Sequence, residues 1–301
     1  MESDFLRMKR ASLSFGLLLL CLLGTSGCLL RSHRVEHHRA TEPLLSSTQG
    51  DLLAKINQLS AAVTTMNATV DIDTTVGGEK KGKVTEYQQI RGYILLEKPS
   101  MLRMIGLLPI VRNRAFDMVS DGDRFKLSIP PKNRFITGAN QVTHVSDNSL
   151  ENLRPQVIYE ALVLPPVDPV TEIAFLEEGT QAVVDAKTHA SATQPNYHIA
   201  VVRRAQDGAW HLHCKIYFSR ADLDIYRQTI YDETGAIATD VHYGEVQDFN
   251  GTRYPSIIEI ERPKDEYRIA IHMVKLTLND PLKPEQFQLV PPEGAAVTEL
   301  K

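Results

Sequence analysis

Most of this chain alternates between apolar and polar residues in short runs that turn residues separate. From Ala68 to Val76, every second residue is apolar or Thr, and the residues between them are Thr or Asp. A period of two is typical of a β-strand that buries one face. The pattern returns at 83–98 and in short runs around Leu102, Met118 and Leu127. In the second half it covers about 172–177, 181–186, 196–205, 209–219, 223–232, 236–249, 254–262 and 266–278. Turns between successive runs predict antiparallel strands in up-and-down order.

Two segments depart from this period and predict helices. Thr48 and Asp51 have the spacing of a capping box, and apolar residues then recur every three or four positions. These residues are Leu52, Ile56, Leu59 and Val63. A second short helix is predicted to start at Ser149 or Asn152, with Pro155 in its first turn.

Nearly every predicted strand has one apolar face, and a sheet must cover such a face. Two short helices cannot cover a flat sheet of roughly ten or eleven strands, so we expect the sheet to curve. The predicted fold is mainly β: an incomplete, half-open antiparallel up-and-down β-barrel with short helices as a lid. Alternation does not distinguish a cavity wall from a filled core. The candidate cavity-lining residues are Val70, Ile72, Ile94, Leu96, Leu102, Met104, Phe125, Leu127, Trp210, Leu212 and Phe218.

The N-terminus is typical of an export signal. A basic start precedes an apolar run from Ala11 to Leu23, and four small residues follow. Thirteen helical residues span only ~20 Å, which is too short for a bilayer core of ~30 Å. Thr25-Ser26-Gly27-Cys28 resembles the lipobox of bacterial lipoproteins, in which the Cys becomes the first mature residue and carries acyl chains. The alternative is an ordinary signal peptide that is cut after Gly27.

These features predict three parts of the chain. Residues 1–27 would be a lipoprotein signal peptide, and 28–47 would be the lipidated Cys28 and a flexible tether. Residues 48–301 would form a single domain. By resemblance to bacterial lipoproteins, Leu29 after the Cys favours the outer membrane. We therefore expect a periplasm-facing protein that its N-terminal acyl chains anchor to the cell outer membrane.

The sequence lacks the familiar catalytic motifs. GxSxG, HExxH, CxxC and Walker-type loops are all absent, so we expect no enzyme. The 33 basic and 37 acidic residues give a net charge of −4, which argues against a nucleic-acid binder. His211 and His213 lie at a spacing that can bind zinc, but no third ligand is assignable. We expect no cofactor and no metal. Cys214 falls on the apolar face of its predicted strand, between Leu212 and Ile216, and should be a buried small side chain.

The order of the predicted helices, strands and short motifs along the chain resembles that of LolA/LolB-like proteins, which belong to the bacterial outer-membrane lipoprotein-localisation pathway. Residues Gly92–Arg103 resemble the family's strand–Pro–strand segment, and Val119–Phe125 resemble its next hairpin. Residues Leu153–Ile158 resemble the mid-chain helix of related lipoproteins. Residues Asn279–Leu282, with Phe287–Gly294, resemble the closing segment. Together these motifs extend over about residues 50–294.

The resemblance implies a half-barrel with a helical lid over an apolar cavity that accepts acyl chains. The lipid anchor is more similar to the LolB-like receptor than to the soluble carrier. That receptor has an apolar loop between its third and fourth strands, and the matching residues are Leu107, Leu108, Pro109, Ile110 and Val111. We expect an exposed tip that enters lipid or guides an acyl chain. The alternative is a loop folded onto the core.

The leading hypothesis is a lipid-anchored periplasmic protein that binds acyl chains of lipoproteins or other amphiphiles. It would serve lipoprotein localisation or envelope lipid handling. Its partners would be the membrane, an acylated lipoprotein or lipid ligand, and a periplasmic carrier protein. The alternative is a non-catalytic structural or scaffolding lipoprotein of an envelope protein complex.

Overall fold

A computed structural model describes residues 43–140, 154–184, 189–205 and 208–300. The predicted signal peptide, Cys28 and most of the predicted tether lie outside the described residues. The predicted start of the second helix, before Arg154, lies outside them too.

The two described helices are short. Helix α1 spans Gln49–Ala61, and the capping box is formed: Asp51 N donates to Thr48 Oγ1 (3.2 Å) and Thr48 N donates to Asp51 Oδ2 (3.3 Å). Helix α2 spans Pro155–Leu162, with Pro at its start. Neither is long and apolar enough to cross a membrane, and the same holds for every helix in the described ranges.

The remainder is mainly β-strand. The first half contains β1 (Thr65–Gly78), β2 (Lys83–Glu97), β3 (Met101–Leu107), β4 (Arg114–Ser120), β5 (Arg124–Ile129) and β6 (Arg134–Ala139). The second half contains β7 (Glu172–Val184), β8 (Ser191–Arg204), β9 (Trp210–Ser219), β10 (Ile225–Tyr231), β11 (Ile237–Tyr243), β12 (Val246–Phe249), β13 (Thr252–Pro255), β14 (Ile257–Arg262), β15 (Tyr267–Leu278) and β16 (Ala296–Leu300). Two 3-10 turns lie at Pro130–Lys132 and Pro284–Phe287.

Fourteen strands form one open sheet, in the order β16-β6-β5-β4-β3-β2-β1-β15-β14-β11-β10-β9-β8-β7. Strands β12 and β13 pair separately as a small hairpin. Each half is a meander, and β1 joins the halves by pairing with β15, where Ile72 lies opposite Ile271. The mainly β, open, helix-covered fold is therefore confirmed. The β1–β15 pairing and the parallel addition of β16 to β6 were not predicted.

Several predicted strand boundaries differ from those observed, including 254–262, which covers the end of β13 and all of β14. The runs at 172–177 and 181–186 form the single strand β7, which continues through Gly179. A Cβ at this glycine would lie 2.8 Å from Asn196 Oδ1, so the residue permits close packing rather than a turn. The predicted strand at 236–249 is two strands, because the chain leaves β11 at Gly244 to form the β12–β13 hairpin.

Both helices lie on one face of the sheet, which we call the inner face. Helix α2 packs Ile158 and Leu162 into the first core, against β1–β4 and β11, β14 and β15. Helix α1 packs Leu52 and Ile56 into the second core, against β8 and β9. Each helix thus covers a different part of the inner face.

The closing segment 279–295 lies on the outer face of the first half. Phe287 and Leu289 pack against Val119 and Phe135 there. Beneath this segment, Arg103 makes two bonds to Asp117 (2.9 and 2.7 Å) and a third to the Gln286 carbonyl (2.6 Å). This buried ion pair attaches the end of the chain to β3 and β4.

Candidate functional site

An open pocket of about 570 Å³ lies where the end of α1, the segment after α2 and the β12–β13 hairpin meet. Pockets of roughly 300–1,000 Å³ are typical of small-ligand sites. The lining is mostly apolar, with Leu59, Ala62, Val63, Leu162, Val163, Leu164, Ile225, Val246, Tyr254, Pro255 and Leu278 among its residues.

Two tyrosines hold the walls of the pocket together. Tyr254 Oη on β13 donates to the Leu162 carbonyl (2.6 Å), and Tyr243 Oη on β11 donates to the Ala161 carbonyl (3.2 Å). These carbonyls lie at the end of α2, where a helix leaves acceptors unpaired. Burial raises the pKa of both phenols far above the ordinary value of 10, so both stay protonated donors. The end of α2 is therefore fixed to the hairpin and the sheet.

Three charged side chains meet at the mouth of the pocket. Lys55 Nζ of α1 lies 2.9 Å from Asp224 Oδ1, and Arg253 Nη2 of β13 lies 3.3 Å from Asp224 Oδ2. Lys55 also donates to the Leu223 carbonyl (2.5 Å), whereas Arg253 is 71% exposed. Asp224 is the only carboxylate among the described residues that line the pocket, so this group of three carries a net charge of +1.

A polar group lies behind the pocket wall. Gln228 is fully buried on the inner face, and its Oε1 accepts a hydrogen bond from Tyr243 Oη (3.2 Å). The single proton of the Tyr243 hydroxyl is therefore shared between Gln228 Oε1 and the Ala161 carbonyl, both 3.2 Å away. Gln228 Nε2 has no hydrogen-bond partner among the described residues. On α2, burial raises the pKa of the Glu160 carboxyl. The inner face is therefore apolar in two regions, with polar groups between them.

None of the eleven predicted lining residues lines this pocket. Six are buried in the first core, with Leu127 packed at its edge: Val70, Ile72, Ile94, Leu96, Leu102 and Met104. Phe218 is in the second core. Phe125 is buried under Arg154, whose guanidinium carbon lies 5.3 Å from the ring centroid.

Trp210 and Leu212 lie on the outer face, contrary to the expectation from alternation. The β8–β9 pairing shifts by one residue there: Cys214 faces Val201, but Leu212 faces Val202. This β-bulge at His213 reverses the face of every residue before it. Trp210 is consequently 49% exposed.

The predicted protruding loop joins β3 to β4, and its exposure is graded. Leu107, Leu108 and Pro109 are half-buried, whereas Ile110 is 98% and Val111 is 62% exposed. Ile110 also has a φ of 67°, a left-handed conformation that is rare for a β-branched side chain. The loop therefore presents its apolar tip to solvent at Ile110 and Val111, while its base packs onto the protein.

Cys214 is buried as predicted, and burial raises the pKa of its thiol to about 12. The described residues contain no group of three metal ligands, and burial lowers the pKa of His213.

Comparisons with known proteins found structural likeness without sequence matches. No family model matches the chain, and no curated protein sequence matches it. A LolA superfamily protein from Nitrosomonas europaea is 12% identical and aligns over 81% of this chain and 99% of its own, with a TM-score of 0.49. A DUF1329 family protein from Desulfovibrio piger is 15% identical and aligns over 79% of this chain and 95% of its own, with a TM-score of 0.49.

A third structure is the domain of an outer membrane lipoprotein-sorting protein from Vibrio parahaemolyticus. It is 9% identical and aligns over 79% of this chain and 94% of its own, with a TM-score of 0.49. Two of the three aligned structures are thus named as a LolA superfamily protein and an outer membrane lipoprotein-sorting protein.

Proposed function

We propose that this chain is a lipid-anchored envelope protein that holds an acyl chain of a lipoprotein, or of another amphiphile, in the pocket beside α1. The observation that carries this proposal is an open, mostly apolar pocket on the face that both helices cover. Each methylene that leaves water for such a site contributes about 0.8 kcal/mol. Several methylenes suffice for reversible binding, and no bond needs to be broken.

The proposed anchor is compatible with the position of this pocket. The described chain reaches α1 beside the β9–β10 turn, where Leu45 N donates to the Arg220 carbonyl (2.7 Å). Asp224 of the pocket mouth belongs to the same turn. A chain from Cys28 to residue 42 spans at most about 50 Å. An acyl chain on Cys28 would therefore keep the pocket mouth close to the outer membrane.

Leu59→Glu is expected to reduce acyl binding about tenfold or more, because it places a charge against the methylenes of the bound chain. Leu59 is 43% exposed, so folding should not change. The measurement is photo-crosslinking of a diazirine-bearing fatty acid to the full chain carrying Cys28→Ala, in which no acyl group of its own competes. We expect labelled peptides from the end of α1, the segment after α2 and the β12–β13 hairpin.

Val290→Glu is the matched control, since Val290 is 74% exposed in the closing segment, outside the pocket. It should label like the parent chain. Equal labelling of all three proteins, or labels spread over the surface, would refute acyl binding in this pocket.

The exposed tip of the β3–β4 loop is proposed to contact lipid. A fully exposed Ile in the left-handed region costs on the order of 1–2 kcal/mol in backbone energy, so stability does not explain its presence. The change of Ile110 and Val111 to Ser should leave the midpoint of urea unfolding unchanged and weaken co-sedimentation with liposomes several-fold. Leu107→Ser, at the half-buried base, should instead lower the midpoint. A loss of stability in the tip variant would favour a loop folded onto the core.

The outer face offers one observation in favour of a scaffolding lipoprotein. Ile173, Phe175 and Trp210 are each between 42% and 50% exposed. The first two lie on β7 and Trp210 lies on β9, with β8 between these strands. Exposed apolar patches that include Trp are typical of protein-binding surfaces. A stoichiometric protein partner that Trp210→Ser releases, together with an empty pocket, would favour this second function.

A further inference from the structure

We infer that the pocket selects single-chain amphiphiles whose head group is an anion, and that Arg253 at its mouth is the specificity-determining residue. This inference rests on the proposed function, because it assumes that an acyl chain occupies the pocket. It adds the chemistry of the head group.

The charges at the mouth support this assignment. Within the described part of the chain, the basic side chains that line the pocket are Lys55 and Arg253, and Asp224 is the one carboxylate. These three come from α1, the β9–β10 turn and β13, so the convergence is a property of the fold rather than of one segment. The apolar interior and the net positive mouth together match an alkyl chain that ends in a carboxylate or a phosphate monoester.

The two cations differ in how much of their hydrogen-bonding capacity remains. Lys55 is half-buried and bonds both to Asp224 and to the Leu223 carbonyl. Arg253 is 71% exposed and makes one long bond, 3.3 Å, to Asp224. A guanidinium has five N–H donors in a planar fork that fits a carboxylate or phosphate with two parallel bonds. Arg253 is therefore the group that can receive an anionic head while Lys55 keeps Asp224 in place.

Asp224 then has a defined effect on selectivity. Its carboxylate already contacts Arg253 and competes with any incoming anion for the same guanidinium. Removal of that negative charge should strengthen anion binding and leave the binding of an uncharged chain unchanged. The structure thus predicts opposite effects for two substitutions that lie side by side.

The test is the affinity of four probes with the same fourteen-carbon chain for the full chain carrying Cys28→Ala. The probes are tetradecanoate, tetradecyl phosphate, methyl tetradecanoate and tetradecyltrimethylammonium, each below its micelle concentration. We expect at least one anion to bind about fivefold more tightly than the neutral ester, with the cation weakest. Whether tetradecanoate or tetradecyl phosphate binds better distinguishes a carboxylate head group from a phosphate-monoester head group.

Arg253→Gln should remove the preference for anions without changing the affinity for the ester. Asp224→Asn should increase the preference for anions. Arg204→Gln, at an exposed arginine that does not line the pocket, is the control and should behave like the parent. Equal affinity of the parent for anions and ester would overturn the inference, as would an equal loss of anion and ester binding in Arg253→Gln. In either case acyl binding itself would stand. Absence of binding by all four probes would overturn the proposed function, and this inference with it.

Discussion

Asp117→Asn is expected to lower the free energy of unfolding by about 3–5 kcal/mol, the usual cost of leaving one charge of a buried pair without its partner. Asp117 is 1% exposed and accepts two bonds from Arg103, whose side chain is 13% exposed. The more exposed Arg114 also lies 3.0 Å from the same carboxylate. Asn has nearly the same shape, so the variant removes the charge without creating a cavity. The closing segment should also be less firmly attached to β3, because Arg103 donates a hydrogen bond to the Gln286 carbonyl. Urea unfolding followed by circular dichroism measures the free energy.

Two variants make this expectation specific to the buried pair. Asp71→Asn breaks the more exposed pair with Arg91, and pairs of that kind contribute at most about 1 kcal/mol. Replacing both buried partners, with Arg103→Met and Asp117→Leu, should restore most of the lost stability, because no uncompensated charge remains buried: Arg114, the other partner of Asp117, is 56% exposed. If Asp117→Asn cost no more than Asp71→Asn, the closing segment would not depend on this ion pair.

Phe218→Ala is expected to lower the free energy of unfolding by about 3–5 kcal/mol, because it removes a fully buried aromatic ring from a packed core. Phe218 is fully buried in the second core, with Leu52 and Ile56 of α1. The substitution would also weaken the support of α1, whose end forms one wall of the pocket. Binding of the diazirine fatty acid should therefore fall together with stability.

Phe175→Ala serves as the comparison, since Phe175 on β7 is 50% exposed and should contribute well under 1 kcal/mol. The same pair of variants tests whether the alternating apolar residues fill a core or line a cavity. A small loss for Phe218→Ala, similar to that of Phe175→Ala, would mean that Phe218 borders an open cavity instead of filling a core.

Local patterns in the sequence predicted the elements of this fold well. The capping box at Thr48 and Asp51 marks the start of α1, and Pro155 marks the start of α2. Alternation from Ala68 to Val76 predicts β1. These signals are local, because a cap, a proline and a period of two each depend on a few neighbouring residues.

The site was harder to predict, because it depends on long-range contacts. The pocket forms between α1, the segment after α2 and the β12–β13 hairpin, and no local pattern places these together. Alternation identified the inner face, but most of that face is packed core. The bulge at His213 is invisible in the composition of β9, yet it moves Trp210 to the outer face. The charged group at the mouth joins Lys55 to Asp224, far apart in the chain, and the sequence gives no sign of it.

Because β1 pairs with β15, the central part of the sheet can form only late in the synthesis of the chain. Strand β1 lies near the start of the domain, and one of its two neighbours is made only when residues 267–278 have been synthesised. A chain that emerges from its N-terminus therefore carries a long unpaired strand edge for most of its synthesis, and such edges are prone to pair with other chains. The closing segment, which fastens to Arg103, comes later still. Both the second neighbour of β1 and the fastening of β3 and β4 therefore form only after most of the described chain has been made.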